Sequence, residues 1–256
     1  MGPVVLRSRF IDVSPDIRKV IETEIAALAE GSPAEPDGLP ADWRPEETAP
    51  SEMPVVLCGH PDCNMVEETL RKGYGGLLQV ATRGCCAPVL SRLPRLAGCN
   101  LICFSIRSTD LFGSMLAGAI TAGLARLAVA DREEASLART VLDELVQNAI
   151  VHGNLGLPTR VLESMDDIDR FNSDIASRLA DPAYGMKHVG IGFWRTSAGW
   201  TAEIVDDGDG YAFTGAGSPE KLSGNSGYSG RGSQIVRSLS RAVHIDRGGR
   251  RTLVRF

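Results

Sequence analysis

The sequence predicts an α/β protein of two domains, and two features of the chain support this prediction. In the first half, short apolar runs of strand length alternate with helical stretches, which is typical of a mainly parallel sheet covered by helices. The second half begins with two consecutive helical stretches and places most of its strands after them. We therefore predict a smaller α/β domain over residues 1–109 and a second α/β domain over residues 110–256.

The elements of the first domain follow one another along the chain. A strand-like run over residues 4–13 precedes a helix that Ser14 and Pro15 would open as N-cap and first-turn residues. Residues 31–54 are rich in proline, glycine and acidic side chains without periodicity, so we expect a flexible loop or linker there. Regular structure resumes with predicted strands at residues 54–58, 77–80 and 101–104, and with predicted helices that reach Arg71 and span residues 87–96.

The start of the chain has a weak similarity to a known signalling domain. Phe-Ile-Asp-Val-Ser-Pro-Asp at residues 10–16 resembles the start of a response-regulator receiver domain. Such a domain needs an acidic cluster around Mg²⁺ and an aspartate at the end of its third strand, whereas Leu57-Cys-Gly-His60 offers no aspartate. If the first half is receiver-like, we expect a degenerate receiver that cannot accept a phosphoryl group.

The charge and the apolar pattern argue against several classes of protein. The net charge is −5, so the chain has no basic excess that would displace counterions from nucleic acid. The most apolar stretch, residues 111–130, contains several small residues and is flanked by Asp110 and Asp131, which favours a buried packing helix over a membrane span. No signal peptide is visible, and we expect a cytoplasmic protein without direct contact to membranes.

All six cysteines lie in the first half, and no pair of them has the two-residue spacing of a zinc ribbon. We interpret them as reduced residues of a core, and a redox sensor is the alternative. These residues are Cys58, Cys63, Cys85, Cys86, Cys99 and Cys103.

The second domain is predicted to combine helices with strands that end in a hairpin. Arg-Gly-Gly-Arg at residues 247–250 provides the hairpin turn. Predicted helices cover residues 110–130, 132–151 and 231–239, a charged amphipathic stretch covers 159–179, and predicted strands cover 189–195, 200–205, 242–246 and 251–256.

Three blocks of the second domain carry chemistry, and the first spans residues 142–154. On a helix, Glu144, Asn148 and His152 are each four residues apart and would form one polar stripe. An asparagine oxygen suits a phosphate-bound Mg²⁺, and a glutamate one turn earlier can polarise a hydroxyl group. Taken alone, this block is equally well explained as a helix with a solvated side.

The second block, Asp-Asp-Gly-Asp-Gly-Tyr at residues 206–211, directly follows a predicted strand. The carboxylate of Asp206 at the strand end could accept a hydrogen bond from an exocyclic amine, and Gly208 and Gly210 would let a flat base approach closely. A calcium loop shares these letters, but no glutamate follows at its twelfth position.

The third block, residues 229–236, is a glycine turn that opens a helix. Gly230 and Gly232 would lie at the helix start, where free N–H groups and the helix dipole favour phosphate oxygens. A glycine turn before a helix is common, so this block is weak when it is considered alone.

In their order and spacing, the three blocks resemble the N, G1 and G2 boxes of the GHKL ATPase superfamily, which includes gyrase, histidine kinases and MutL. The resemblance covers roughly the last half of the chain. It implies a Bergerat α/β sandwich that binds ATP and Mg²⁺ between its helices and its sheet, with residues 211–229 as the lid. The residues implied are Asn148 for Mg²⁺, Asp206 for the adenine amine, Gly208 and Gly210 for the base pocket, and Gly230, Arg231 and Gly232 for the phosphates.

Within that superfamily, Glu-Leu-Val-Gln-Asn-Ala-Ile-Val-His-Gly-Asn at residues 144–154 is most similar to the anti-sigma-factor serine/threonine kinases. The compact lid and the acidic insert of residues 163–181 fit the same branch. This similarity implies that Glu144 is the base for a serine hydroxyl group on an antagonist protein, and that the partner is a sigma factor or a similar regulatory protein. We interpret His152 as structural.

Two departures from the family pattern keep a second function open. Ser233 stands where the family usually has an apolar residue, and the lid region offers few cations, Lys221 and Arg231, for a γ-phosphate. The leading hypothesis is an ATP-dependent protein kinase, and the alternative is a nucleotide-gated or catalytically inactive interaction module. A histidine phosphotransferase-like scaffold ranks last because residues 110–130 contain no histidine, and a homodimer contact through the small residues of 113–123 stays open.

Overall fold

The computed structural model is an α/β protein, which confirms the fold class predicted from the sequence. The structure describes residues 5–30, 41–43, 52–80, 101–129, 131–159, 163–209 and 231–256. The chain forms two compact units, which are described separately below. The first comprises residues 1–106 and 191–201, and the second comprises residues 107–190 and 202–256.

The first unit contains a parallel sheet whose strands follow one another in chain order. These strands are β1 (Val5–Ile11), β2 (Glu52–Cys58), β3 (Gly76–Gln79) and β4 (Leu101–Arg107). Four consecutive apolar residues of strand β2, Val55 to Cys58, are buried, as is typical of a parallel sheet with both faces covered. The buried apolar residues of β2, β3 and β4 are Val55, Val56, Leu57, Cys58, Leu77, Leu78, Cys103, Phe104 and Ile106.

In the described part of the first unit, helices α1 (Pro15–Glu30) and α2 (Cys63–Lys72) lie between consecutive strands. Helix α2 begins where the Asp62 carboxylate accepts a hydrogen bond from the Met65 amide at 2.8 Å, and it ends at Gly73, whose φ is 67°. The strand order β1-β2-β3-β4 differs from the 2-1-3-4-5 order of receiver-like folds. The receiver-like arrangement of this half is therefore not confirmed.

The segment predicted as a linker contains an anchored turn. Ala41–Trp43 form a short 3₁₀ turn, and the Trp43 side chain is buried. The Trp43 carbonyl accepts a hydrogen bond from Nε1 of Trp194 at 3.0 Å. Composition predicts a loop here, but it does not reveal that one aromatic residue ties this segment to the first unit. Residues 31–40 and 44–51 lie outside the described residues.

The described cysteines are reduced thiols in two kinds of environment. Cys58 and Cys103 are buried, as expected for residues of a core, whereas Cys63 in the first turn of α2 is partly exposed. Cys85, Cys86 and Cys99 lie outside the described residues, as does the predicted helix of residues 87–96.

The second unit supplies the elements that carry the three sequence blocks. Its helices are α3 (Ser108–Leu111), α4 (Met115–Ala128), α5 (Arg132–Asn148), α6 (Met165–Ala180), α7 (Pro182–Gly185) and α8 (Arg231–Leu239). Strands β5 (His188–Thr196) and β6 (Gly199–Asp206) contribute residues to both units. Strands β7 (Ala242–Asp246) and β8 (Arg251–Arg255) form the predicted antiparallel hairpin, with Gly248 and Gly249 at φ values of 66° and 94° in its turn.

The apolar stretch predicted as one helix over residues 110–130 forms two helices. Helix α3 ends at Leu111, Gly113 adopts a φ of 61°, and Ser114 caps α4 by accepting a hydrogen bond from the Ala117 amide. A left-handed glycine followed by a serine cap interrupts the helix, although hydropathy continues across the break. Among the described residues, no helix combines the length and apolar character needed to cross a membrane.

Candidate functional site

Helix α5 presents the first block as two polar residues on one face. Asn148 donates a hydrogen bond from Nδ2 to Oε1 of Glu144 at 3.0 Å, and both side chains are half-buried. The i,i+4 spacing read from the sequence therefore brings these two groups into direct contact. Because the amide nitrogen is turned toward the carboxylate, the Oδ1 of Asn148 is the atom suited to face a cation.

The third member of the predicted stripe lies in a different local structure. Helix α5 is followed by a π-helical turn, Ala149–Asn154, in which the Leu155 amide bonds to the Ile150 carbonyl at 2.8 Å. The four residues from Asn148 to His152 therefore do not follow the regular α-helical spacing from which the stripe was predicted. Nδ1 of His152 lies 2.7 Å from the Leu157 carbonyl, and this contact fixes the ring to the loop that follows. The contact supports the structural interpretation of His152.

The second block ends strand β6 with a buried carboxylate. Asp206 is only 5% exposed, and its Oδ1 accepts a hydrogen bond from the Gly208 amide at 2.9 Å. Burial raises the pKa of Asp206 to about 6, and the nearby charge of Asp207 acts in the same direction. The Gly208 N–H bond, Arg250 and Lys187 oppose the rise in pKa but do not cancel it. A buried carboxylate of this kind is suited to a ligand that brings its own hydrogen-bond donor.

Glycines bring the first and second blocks into contact. A Cβ placed on Gly153, at the end of the π-helical turn, would overlap the carboxylate of Asp206. A Cβ placed on Gly208 would overlap the carbonyl oxygen of Gly153. Both positions therefore need glycine for close approach, since a methyl group has no space at either one. The structure thus joins two blocks that are separated by about fifty residues of sequence.

A buried hydrogen-bonded cluster holds this junction, and the sequence analysis did not identify it. Oδ1 of Asn154 accepts from the Asp207 amide at 2.8 Å, while its Nδ2 donates to Ser108 Oγ at 2.8 Å and to the His188 carbonyl at 3.1 Å. The carboxylate of Asp207 accepts from the His188 amide at 3.0 Å. Because Asn154 and Ser108 are fully buried, these bonds are needed to satisfy their polar atoms. The cluster fixes the backbone beside Asp206.

The sequence contains two residues of this cluster within the blocks described above, but it does not show their contacts. Asn154 ends the first block and Asp207 belongs to the second, so both residues lie within the sequence blocks that carry chemistry. Their roles depend on Ser108, which lies 46 residues from Asn154 along the chain. No local pattern reports a contact over that distance.

The third block meets the first at the start of helix α8. A Cβ built on Gly232 would overlap the carboxylate of Glu144. The glycine turn and the Glu144–Asn148 pair are therefore neighbours, as the three-block hypothesis requires. Gly210, Gly230 and the lid of residues 211–229 lie outside the described residues, as does the side chain of Arg231, whose backbone begins α8.

The site fits a metal ion that is held mainly by a nucleotide. The described part of the chain contains no group of three or more His, Cys, Asp or Glu side chains that could hold a metal by itself. Mg²⁺ in nucleotide sites commonly takes one or two protein oxygens together with phosphate oxygens and water. Asn148 could supply such an oxygen, so the donor set suits Mg²⁺ bound together with a nucleotide.

The arrangement defines a nucleotide-binding α/β domain, in which a helix-borne amide and carboxylate, a buried strand-end carboxylate and a glycine-opened helix meet. A family model described as a histidine kinase-like ATPase domain matches residues 115–256. The chain belongs to this family, which confirms the GHKL-type ATPase predicted from the three blocks, and its ATPase domain implies ATP binding. A comparison with curated proteins found no match.

Proposed function

We propose that the protein is an ATP-dependent serine/threonine kinase of the anti-sigma type, which acts on a regulatory protein partner. The observation that carries this proposal is the pairing of Glu144 with Asn148 at 3.0 Å on one face of α5. A base and a cation ligand that lie side by side are the two groups that phosphoryl transfer to a hydroxyl needs from the protein. Membership of the family implies that the protein binds ATP. The Glu144–Asn148 pair is the reason to expect phosphoryl transfer from it.

The chemistry assigns one task to each residue. Asp206 accepts a hydrogen bond from the adenine amine and orients the base, and Asn148 binds Mg²⁺ through its amide oxygen. The serine or threonine oxygen attacks the γ-phosphorus, the bond between that phosphorus and the β,γ-bridging oxygen breaks, and ADP leaves. Glu144 takes the proton of the attacking hydroxyl group. Bound Mg²⁺ neutralises the phosphate charge.

A second function is favoured by the composition of the lid region. Lys221 and Arg231 are its cations, which is a small number for the charge that develops on a γ-phosphate. A chain that binds ATP but transfers phosphate poorly would act as a nucleotide-gated interaction module. In that case the regulatory partner, a sigma factor or an antagonist-like protein, would be bound without being phosphorylated.

We expect Asn148→Ala and Glu144→Gln to separate binding from transfer. Calorimetry with and without Mg²⁺ should show that Asn148→Ala loses about tenfold or more in MgATP affinity, because a metal ligand is removed. Glu144→Gln should retain MgATP binding and lose at least about a hundredfold in transfer, since general-base catalysis contributes about that much. Transfer is measured as acid-stable label passed from γ-labelled ATP to serine- or threonine-containing proteins of a dephosphorylated extract.

The three outcomes of this experiment are distinct. Absence of MgATP binding by the folded intact chain contradicts the nucleotide site. Binding with Glu144-dependent labelling supports the kinase. Binding without any labelling by the intact chain, or with the same labelling by Glu144→Gln, contradicts the kinase and leaves the interaction module.

The pKa of Asp206 predicts how MgATP affinity depends on pH. An adenine amine donates to the ionised carboxylate, and the pKa of Asp206 is raised to about 6. Affinity should therefore be full near neutral pH and fall about tenfold by about pH 5, where most of the carboxyl is protonated. Asp206→Asn is the control, because the remaining pH dependence in that variant belongs to other groups, including the phosphates of ATP. Equal pH profiles for both proteins would contradict the assignment.

The raised pKa of Asp206 makes the stability of the unliganded fold depend on pH in the direction opposite to that of MgATP affinity. Asp206 has a folded pKa of about 6, which is above its ordinary value of 3.8. The folded state therefore binds this proton more tightly than the unfolded chain does. The contribution of Asp206 to stability improves as the pH falls through about 6, while MgATP affinity weakens over the same range.

A further inference from the structure

Gly232 occupies the second position of helix α8 in an ordinary helical conformation. Its φ is not among the positive values of the described glycines, so the backbone does not require glycine there. The three atoms nearest to a Cβ built at this position all belong to the carboxylate group of Glu144, and the nearest of them is Oε1. The steric reason for a glycine at position 232 is therefore the carboxylate of Glu144.

The same oxygen has a second neighbour. Oε1 of Glu144 accepts the hydrogen bond from Nδ2 of Asn148 at 3.0 Å. A methyl group at position 232 would displace this oxygen and would lengthen or break that bond. Glu144 is half-buried and flexible at its end, so the displacement moves a carboxylate rather than the backbone.

The other site glycines behave differently. A Cβ on Gly208 would meet the carbonyl oxygen of Gly153, which belongs to the backbone and cannot move aside without deforming the turn. A Cβ on Gly153 would meet the buried carboxylate of Asp206, which a bond from the Gly208 amide holds in place. Gly232 is therefore the glycine of these three at which a methyl group should change the position of a reacting group with little effect on the fold.

We propose that Gly232 is a positioning residue for Glu144, in addition to any contact that its backbone makes with phosphate. The absence of a side chain at position 232 lets the Glu144 carboxylate lie between α8 and Asn148, where the base is aligned beside the metal ligand. The catalytic consequence rests on the proposed kinase function, whereas the packing of Gly232 against Glu144 does not depend on it. The two parts can therefore be tested separately.

A double-mutant cycle in the absence of nucleotide tests the packing. Gly232→Ala is compared in the intact chain and in the Glu144→Ala background by thermal unfolding of the full-length protein. In the Glu144→Ala background the added methyl group has space, and alanine is a better helix former, so the melting temperature should rise by roughly 2 °C. With Glu144 present, we expect no rise or a decrease.

Gly118→Ala is the matched control for the melting cycle. Gly118 is also a helical glycine, and a Cβ at that position would lie 3.5 Å from Nη2 of Arg139, an ordinary contact. Its melting shift should be the same whether residue 144 is Glu or Ala. Equal shifts for Gly232→Ala in both backgrounds would overturn the packing.

The proposal that Gly232 positions Glu144 is tested by the rate of ADP formation at saturating MgATP, with water as the phosphoryl acceptor. Gly232→Ala should lower this rate at least about tenfold while the Kd for MgATP changes by less than about threefold, because the base is displaced and the nucleotide contacts remain. In the Glu144→Ala background the same substitution should have no further effect on the rate. Such non-additivity is the signature of two residues that act through one group.

The outcomes of the rate experiment separate the two proposals. A weaker Kd together with an additive loss of rate would overturn the positioning role, because Gly232 would then act through phosphate alone. If the intact chain does not bind MgATP, the proposed function fails, while the melting cycle still supports or overturns the packing of Gly232 against Glu144.

Discussion

Replacing Asp206 with alanine is expected to lower MgATP affinity on the order of a hundredfold, as measured by calorimetry. The adenine amine would lose a hydrogen bond to a charged acceptor in a buried position, which is worth about 1.5–3 kcal/mol, and would remain unpaired in the complex. The loss should come from recognition rather than from unfolding. Asp206 is only 5% exposed and its pKa is raised by burial, so the ionised carboxylate destabilises the unliganded fold.

Base selectivity gives this prediction a second readout. Asp206→Asn keeps the size of the side chain and adds an N–H donor, which could face the carbonyl oxygen that guanine carries in place of the adenine amine. The ratio of ATP to GTP affinity should therefore fall in Asp206→Asn. Asp209→Ala is the control on the same loop, because Asp209 is exposed and should change affinity by less than about twofold. Unchanged ATP affinity in a folded Asp206→Ala protein would contradict the assigned adenine contact.

The contact between Glu144 and Asn148 could be predicted from the sequence because it depends on local geometry. Glu144 and Asn148 are four residues apart on a long amphipathic helix, and helical periodicity alone places them in contact at 3.0 Å. Asp206 is the last residue of strand β6, and its burial raises its pKa. His152 lies in the π-helical turn after Asn148, which is a local irregularity that a regular helical pattern does not anticipate.

The parts that the sequence did not predict depend on contacts between distant residues. Asn154 reaches Ser108 across 46 positions and the Asp207 amide across 53, and Trp194 reaches Trp43 across 151. Each contact provides a hydrogen-bond partner for a buried polar group, which the folded interior requires. Such contacts produce no periodic pattern in the sequence. The alternation of strands and helices predicted the α/β class, but it could not show which side chains would close these bonds.

The packing neighbours of Gly208 and Gly232 could be identified only from the structure. The sequence assigned Gly208 and Gly232 to base and phosphate contacts by their place in the motifs. The structure adds protein groups that occupy the same space, the carbonyl of Gly153 in one case and the carboxylate of Glu144 in the other. The sequence motif shows only that the residue is a glycine. The structure shows which atom occupies the space that a side chain would need.

Glu203→Gln should destabilise the second unit, because it removes a buried negative charge that accepts a hydrogen bond from the Arg251 guanidinium. Nε of Arg251 donates to Oε1 of Glu203, and the two residues are 1% and 8% exposed. Breaking a buried ion pair from one side costs at most about 3–5 kcal/mol, so the melting temperature should fall by at most roughly 10 °C. The pair joins β8 to β6, and the Asp206 amide at the end of β6 bonds to the Arg250 carbonyl at 3.0 Å. Loss of the pair should therefore also weaken MgATP binding.

Two controls distinguish the effect of breaking a buried ion pair from the effect of losing any ion pair. Glu22→Gln breaks the exposed i,i+4 pair with Arg18 and should change stability by less than about 0.5 kcal/mol. The double variant Glu203→Leu with Arg251→Met removes both buried charges and should recover most of the stability, since apolar replacements of a buried pair are often neutral or stabilising. A double variant as unstable as Glu203→Gln alone would contradict the account, because the damage would then come from packing and not from the loss of the buried negative charge.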